Sequence, residues 1–139
     1  MAKVILNGCF GGYHWSVEGI AEVMKRKGAT AIRISKDSIF KEVIAVVNGE
    51  MVTCSNLDRE DPIAIQVLEE KGSKFCSSEF SKLFVEEYDE NDFIPSIDEY
   101  DGMESLELTP RVTEARIRAC RSIDEVIDLL RRLKVIVRE

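Results

Sequence analysis

The residues best suited to chemistry are concentrated in one short segment near the N-terminus, residues 7–16. The segment holds the sole histidine and the sole tryptophan of the chain. Its residues are, in order, Asn7, Gly8, Cys9, Phe10, Gly11, Gly12, Tyr13, His14, Trp15 and Ser16. Glycines let the backbone approach a ligand, and a helix N-terminus carries partial positive charge, so the segment predicts a cradle for phosphate or carboxylate. Its aromatic rings would stack on a base or ring. The alternative is a glycine turn whose aromatic residues pack into the core.

The same segment matches neither of the two common nucleotide-binding motifs. It has no Gly-x-Gly-x-x-Gly fingerprint and no Gly-Lys-Ser/Thr sequence, which disfavours ATP hydrolysis. Cys9 and His14 support a different hypothesis, because a thiolate beside an imidazole is a competent nucleophile. Against it, catalytic triads usually draw their members from separate elements, and no Asn or Asp stands out as an orienting group. The sequence therefore favours a non-enzymatic protein with no catalytic residue, and Cys9 and His14 remain the catalytic alternative.

Two charged segments carry further candidate ligand groups. Arg59 lies directly before a predicted helix start, where its guanidinium could bind an anionic ligand bidentately, although a solvated surface position is the alternative. The acidic run 86–92 could chelate a hard divalent ion, but it lacks the glycine and the alternation of a calcium loop and is explained by a solvated loop. The predicted ligand-binding residues are Asn7, Cys9, Phe10, Gly11, Gly12, Tyr13, His14, Trp15, Ser16 and Arg59.

Length and composition predict one domain over residues 1–139. A chain of 139 residues with 45% hydrophobic residues can bury a core of its own. No stretch approaches the roughly 20 consecutive apolar residues that span a bilayer, and the apolar run after Lys3 is too short for a signal peptide. We therefore expect a cytoplasmic protein with no membrane partner.

The four cysteines and the net charge narrow the class of partner. Cysteines at positions 9, 54, 76 and 120 lack the spacing of zinc ligands on one loop, so free thiols are predicted, with no metal and no cofactor. The formal net charge of −7 argues against binding to nucleic acid, which depends on lysine and arginine. A small molecule is the partner that remains.

Charge is unevenly distributed in the second half of the chain. Residues 86–107 contain many acids and no lysine or arginine. Arginines follow at positions 111, 116, 118, 121, 131, 132 and 138. Arg111, Arg116 and Arg118 could neutralise the acidic segment in the same molecule or in a neighbouring one. The second arrangement would form an interface, and we expect a homo-oligomer.

The N-terminal half predicts a strand, a glycine loop and a helix, followed by a hairpin. Ser16 is a good N-cap for the helix, and Gly28 ends it. The dipeptide Asn48-Gly49 between two apolar runs is the strongest short pattern for a hairpin. The predicted strands of this half are residues 4–6, 31–34, 43–47 and 51–54.

The second half predicts two helices of its own. Asp61 is an N-cap before Pro62 at the first helical position, and this helix runs to Lys71. Ser122 and Glu125 match the capping box of a final helix, whose apolar residues follow at helical spacing.

Strands are predicted at residues 80–88 and 103–108, with an acidic loop between them and Gly102 at positive φ before the second. Residues 109–120 fit either a helix or a strand. These elements predict an α/β or α+β fold, a single domain in which a mixed β-sheet with one hairpin is flanked by about three helices.

The N-terminal segment also resembles an uncharacterised family of small phage and bacterial proteins. Members begin with a strand, then Asn-x-Cys-Phe/Tyr-Gly-Gly-Phe/Tyr and a serine-capped helix. The matching residues here are Asn7, Cys9, Phe10, Gly11, Gly12, Tyr13 and Ser16. The resemblance continues through Arg59, Asp61, Pro62, residues 68–72 and the Tyr100-Asp101-Gly102-x-Glu104 segment. It implies a phage context, in which a small protein in the host cytoplasm sequesters a host nucleotide signal.

Three hypotheses for function follow. The leading one is a non-enzymatic protein that binds a phosphate-bearing nucleotide derivative at the glycine-rich segment. The second is a small hydrolase or transferase that uses Cys9 or His14. The third is an interaction or inhibitor module whose acidic segment binds a basic partner surface.

Overall fold

The computed structural model describes residues 1–35 and 41–134 of the chain. Two strands at its centre, β1 (Ala2–Asn7) and β5 (Leu83–Tyr88), pair antiparallel along their whole length. The apolar run 4–6 therefore lies in a strand, as predicted. The strand predicted at residues 80–88 begins only at Leu83, because the backbone before it packs against the glycine-rich segment instead.

Different elements cover the two faces of this strand pair, because side chains alternate along a strand. Ile5 and Leu83 face the larger hydrophobic cluster, which includes residues of the first two helices. Val4 and Leu6 face the opposite way and form a smaller cluster with Tyr88, against which Leu106 packs.

The first helix, α1 (Val17–Arg26), begins where the sequence predicts. The hydroxyl of Ser16 accepts a hydrogen bond of 2.9 Å from the amide of Gly19, which satisfies one of the free donors of the first turn. Gly28 follows the helix at φ +93°, a conformation that suits glycine. The helix buries one side, including Ile20 and Val23, in the larger cluster.

The second helix, α2 (Pro62–Lys71), also has the predicted start. The carboxylate of Asp61 accepts hydrogen bonds from the amides of Ile63 and Ala64, at 2.9 and 3.3 Å. The helix ends at Gly72, and the short helix α3 (Ser73–Cys76) follows. Together these helices supply one wall of the larger cluster.

A three-stranded antiparallel sheet also packs against α1, with Val43 and Ala45 in the larger cluster. Its strands, in spatial order, are β2 (Ala31–Ser35), β3 (Glu42–Val47) and β4 (Glu50–Cys54). Asn48 and Gly49 join the last two with φ values of 53° and 80°, the left-handed pair that a tight hairpin requires. The predicted hairpin is confirmed.

A second hairpin replaces the acidic loop that the sequence predicts, and that prediction is wrong. Its strands are β6 (Phe93–Tyr100) and β7 (Met103–Pro110), joined by Asp101 and Gly102 at φ 53° and 91°. Pro95 and the acidic side chains weaken the sequence pattern of a strand in β6. In the described residues β6 and β7 form a sheet of two strands, so each is an edge strand, where proline is tolerated. The positive φ of Gly102 is as predicted.

Residues 109–120, for which the sequence fits either a helix or a strand, contain both in the structure. Residues 109 and 110 complete β7, and a short helix α4 (Glu114–Arg118) follows, capped by Thr113. The last helix, α5 (Ile123–Arg132), begins with the hydroxyl of Ser122 accepting from the amide of Glu125 at 3.2 Å. The Glu125 carboxylate accepts from the amide of residue 121, one position before the expected partner. Arg138 lies outside the described residues.

The fold class is α+β. In the described ranges the strands form sheets of two, three and two members, all antiparallel, and three helices of ten residues each account for the predicted number of flanking helices. None of the helices in residues 1–35 and 41–134 combines the length and the apolar character needed to cross a bilayer.

Candidate functional site

Residues 7–16, here called the glycine corner, are held against two other backbone segments. A Cβ added to Gly11 would overlap the carbonyl of Phe80, in the loop before β5. On the other side, a Cβ added to Gly102 would lie 2.6 Å from the carbonyl oxygen of Phe10 and 2.7 Å from the amide nitrogen of Gly12. Glycine is therefore required at both contacts because backbone meets backbone.

Asn7 fixes the start of the corner from inside the protein, where its side chain is fully buried. Its side-chain nitrogen, Nδ2, donates to the backbone carbonyls of Cys9 and Gly102, at 2.6 and 2.8 Å. Its side-chain oxygen, Oδ1, accepts from the backbone amide of Lys82 at 2.8 Å. With these partners Asn7 joins the three backbone segments, which is a structural role.

Arg59 and Glu104 form a bidentate ion pair beside the corner. The two guanidinium nitrogens donate to the two carboxylate oxygens at 2.6 and 2.5 Å. Only 4% of the Glu104 side chain is exposed, against 27% for Arg59. The sequence predicted bidentate binding of Arg59 to an anionic ligand, and its bidentate partner in the structure is this buried carboxylate.

The same ion pair bonds to the edge of β1. Glu104 Oε1 also accepts from the backbone amide of Asn7 at 2.9 Å, and Arg59 Nη1 also donates to the carbonyl of Ile5 at 3.2 Å. The amide of Ile5 donates to the carbonyl of Arg59 at 2.9 Å. One buried pair thus satisfies polar groups that a third strand would otherwise bond.

Tyr13 lies under the guanidinium of Arg59, whose central carbon is 4.0 Å from the ring centre. This is the geometry of a cation–π contact. The phenol donates to the carbonyl of Leu57 at 2.9 Å and accepts from the indole nitrogen of Trp15 at 2.8 Å. Burial raises the pKa of Tyr13 to about 12, so the phenol keeps its proton at neutral pH.

Trp15 and Ser16 serve the fold rather than a surface. Trp15 is buried, and its ring leaves no room for a Cβ on Gly19 of α1, which would lie 2.9 Å from it. Ser16 caps α1 and donates to the carbonyl of Phe75 at 2.6 Å. The buried ring of Trp15 matches the alternative interpretation of the segment, in which the rings pack into the core.

A pocket of about 400 Å³ opens at the Tyr13–Arg59 contact. It is lined by Val4, Tyr13, Leu57, Asp58, Arg59, Glu60 and Ile97. We call it the Tyr13–Arg59 pocket. Two of the predicted ligand-binding residues line it, and the other eight are not among its lining residues. It combines four apolar or aromatic residues with three charged ones, and its volume lies at the small end of the range for small-molecule sites.

Arg59 keeps donors for a ligand in this pocket. A guanidinium has five N–H donors, and among residues 1–35 and 41–134 three of those of Arg59 are used, by Ile5 and by the two Glu104 oxygens. The other two can bind an anionic oxygen. The carboxylates of Asp58 and Glu60 on the same wall can accept hydrogen bonds from hydroxyl or amino groups.

Cys9 and His14, the catalytic alternative, have different surroundings. The thiol of Cys9 donates to the carbonyl of Phe80 at 3.0 Å and lies 3.6 Å from the side-chain oxygen of Asn7. His14 is exposed, and its backbone carbonyl accepts from the hydroxyl of Ser81 at 2.6 Å. Within the described part of the chain, no hydrogen bond joins the thiol to the imidazole.

The four cysteines are free thiols, as predicted, although only Cys76 is fully buried. Burial raises the pKa of Cys76 to about 11, and burial also raises the pKa of Cys54. Both thiols are therefore protonated and unreactive at neutral pH. In residues 1–35 and 41–134, no group of three His, Cys, Asp or Glu side chains has the geometry to hold a metal ion.

The acidic segment is held by arginines of the same molecule. Arg111 Nε donates to the carbonyl of Glu90 at 2.9 Å, and Arg116 donates to the carboxylate of Asp92 at 2.6 Å. Arg118 instead pairs with Glu114, one turn away on α4. Intramolecular neutralisation, one of the two arrangements predicted, therefore holds for Arg116, whereas Arg111 binds backbone carbonyls of the same segment.

Sequence reasoning did not select Glu104, Leu57 or Ile97 as parts of a site. Glu104 occupies an inward-facing position of a predicted strand. Because a buried carboxylate needs a cationic partner, this position was the one indication that Glu104 forms an ion pair. Leu57 and Ile97 carry no local pattern that distinguishes them from core residues. Comparisons of this chain with protein-family models, with curated proteins and with solved structures give no significant match.

Proposed function

We propose that this protein binds a phosphate-bearing nucleotide derivative, without turnover, in the Tyr13–Arg59 pocket. The observation that carries the proposal is the convergence of Tyr13 and Arg59, separated by 46 positions, at 4.0 Å beside a pocket of about 400 Å³. The proposed ligand site therefore lies next to the glycine corner and not on its glycines.

The pocket offers one group for each part of such a ligand. The two remaining N–H donors of Arg59 would bind a phosphate oxygen, since a guanidinium matches phosphate geometry. Val4, Leu57 and Ile97 would enclose the base or sugar ring by apolar contact. Asp58 would accept hydrogen bonds from ribose hydroxyls or from an exocyclic amine.

The side chain of Arg59 is already held in a fixed position before a ligand binds. Glu104 holds the guanidinium at two points, so Arg59 loses little side-chain entropy when a ligand arrives. Glu104 also offsets the cation, so a single phosphate would bind beside a neutral pair and the carboxylates of Asp58 and Glu60. We therefore expect recognition that depends on both the phosphate and the ring, and not on charge alone.

We propose binding without turnover because of the surroundings of Cys9, the candidate nucleophile. Its thiol donates to the carbonyl of Phe80, and Cys9 is not among the lining residues of the pocket. Sequestration in the cytoplasm, of a host cell in a phage context, is the biological role we propose. A homo-oligomer is part of the same proposal.

Calorimetric titration tests the proposal with a panel of nucleoside monophosphates, diphosphates, triphosphates and cyclic dinucleotides. We expect at least one member to bind with a micromolar or lower dissociation constant, and its nucleoside without phosphate to bind much more weakly. The recovered compound should be chemically unchanged by mass spectrometry.

Two substitutions on β6 provide a matched pair for this titration. Ile97→Trp fills the pocket while leaving the residues of the Arg59–Glu104 pair unchanged, and should abolish binding. Ile94→Trp enlarges another exposed apolar residue on the same strand, three positions away, and should leave binding intact. Equal binding by the two variants, or no binding of any phosphate-bearing member by the parent protein, contradicts the proposal.

A further inference from the structure

The outer edge of β1 carries peptide groups that do not face β5. In an antiparallel pair, the N–H and C=O of one residue point to the same side, and successive residues alternate. Ile5 bonds to Arg59 and Asn7 bonds to Glu104, so odd-numbered residues face away from β5. The peptide groups of Lys3 therefore face outward on the same edge.

Nothing in the described ranges closes the edge at Lys3. The chain that bonds Ile5 through Arg59 turns away at Glu60 and enters α2 at Pro62. In residues 1–35 and 41–134, no hydrogen bond from outside the β1–β5 pair reaches the backbone of Lys3. An unpaired strand edge of this kind is a template for a further strand.

Lys3, at the open edge, and its neighbour Ala2 line a groove of about 680 Å³. Pro62 and Ile65 of α2 also line it. Tyr88 adds an aromatic ring. We call this the β1 edge groove. It is separate from the Tyr13–Arg59 pocket, with which it shares only Glu60 among the lining residues of the two.

The charge of the groove selects the partner. Four glutamates line it, at positions 60, 69, 70 and 90, against the single cation of Lys3. Glu69 is bonded to Lys3 at 3.0 Å, and Glu70 to Arg26 at 2.7 Å. No ion pair of the described residues includes Glu60 or Glu90. These two carboxylates are complementary to added positive charge.

We infer that the β1 edge groove binds an extended peptide segment of a partner protein that carries lysine or arginine at alternate positions. Its backbone pairs with the N–H and C=O of Lys3, in the mode by which an extended segment adds a strand to a sheet. Its cationic side chains contact Glu60 and Glu90, and its apolar side chains, which all lie on one face of the added strand, contact Ile65 of α2. Charge repulsion excludes acidic segments.

Fluorescence anisotropy with a labelled, blocked Lys-Val-Lys-Val-Lys-Val peptide tests this inference. The peptide should bind, and the corresponding Glu-Val peptide should not. Hydrogen exchange by NMR should show the amide of Lys3 exchanging fast in the free protein and about tenfold or more slowly in the complex, because binding pairs it. Ile5 and Asn7, already bonded, should change little.

Two N-methylated peptides separate strand pairing from attraction between charges. Methyl groups on the lysine amides block one edge of the peptide, and methyl groups on the valine amides block the other. Strand addition predicts that one of the two loses binding and the other keeps it. Equal binding of both, or a Lys3 amide that the peptide leaves unprotected, overturns the inference.

A charge variant and a concentration series complete the test. Glu90→Gln should weaken the peptide about two- to fivefold, the effect of one exposed ion pair, whereas Glu107→Gln on β7 should have no effect. Equal affinities for the two variants count against the groove. If the Lys3 amide is already protected in a concentration-dependent way in the free protein, the occupant is a second copy of the chain and the inference fails.

Discussion

The two halves of the β1 edge differ in how their peptide groups are satisfied. At Ile5 and Asn7, side-chain and backbone groups of Arg59 and Glu104 bond the edge, whereas at Lys3 the edge faces an acidic groove. The closed half uses one buried ion pair in place of a third strand. It holds its side chains in fixed positions, which suits recognition of a small ligand, while the open half offers backbone groups, which suits a peptide.

The largest effect on the closed half is expected when the charge of Glu104 is removed. Glu104→Gln leaves the guanidinium of Arg59 without its counter-charge in a site where Glu104 is only 4% exposed. Breaking a buried pair costs about 3–5 kcal/mol, and partial exposure of Arg59 reduces this to about 2–4 kcal/mol in the free energy of unfolding. Urea denaturation measures the loss.

The matched control is Glu114→Gln, because Glu114 also pairs with an arginine but both side chains are more than three-quarters exposed, at 76% and 77%. We expect a change below about 0.5 kcal/mol. A loss at position 104 no larger than the loss at position 114 would mean that the pair does not close the edge.

The backbone contacts of the glycine corner are the next largest effect. Gly11→Ala forces a Cβ into the carbonyl of Phe80, and overpacking of this kind costs about 1–3 kcal/mol. Gly8→Ala is the comparison within the same loop, because its Cβ would meet the Phe84 ring at an ordinary 3.4 Å. Thermal unfolding of the two variants should differ clearly. Equal melting temperatures would show that the corner yields to relieve the contact.

Alkaline titration tests whether Tyr13, which lies beside the closed half, is buried. The folded pKa of Tyr13, about 12, lies above its ordinary value of 10.0 because burial disfavours the phenolate. The stability that this contributes is complete below pH 10 and is lost as the pH rises through about 12. The ultraviolet absorbance of tyrosinate, compared with that of Tyr13→Phe, should reveal one late-titrating phenol. A Tyr13 that ionises near pH 10 contradicts its burial.

A smaller effect is expected at the acidic turn between β5 and β6. The hydrogen bond from Arg116 lowers the pKa of Asp92 below its ordinary 3.8, so the stabilisation is present above pH 3.8 and is lost as the pH falls through the lowered pKa. Arg116→Gln should raise the pKa of Asp92 toward 3.8, as followed by carboxyl carbon shifts in NMR. No change in that pKa would place the arginine in solvent instead.

Local patterns predicted the elements that local chemistry determines. The caps at Ser16 and Asp61 and the Asn48-Gly49 hairpin formed where expected, because each depends on neighbouring backbone groups. The strand β6 was missed, since Pro95 and acidic residues reduce its strand propensity and only pairing with β7 stabilises it.

The candidate site was predictable only in part for the same reason. Tyr13 and Arg59 were selected from short segments that concentrate polar and aromatic groups. The pocket between them also needs Val4 and Ile97, which come from strands far apart in the chain, and no local pattern records that contact. Glu104 likewise acquires its role only when β7 brings it to Arg59.

The most direct test of ligand binding at the closed half is a map of amide chemical shifts during titration with the tightest-binding nucleotide of the panel. We predict that the largest shifts fall on Tyr13, residues 57–60 and Ile97, and that the amide of Lys3 stays unchanged. Shifts centred on another part of the molecule, or none at saturating nucleotide, would contradict it.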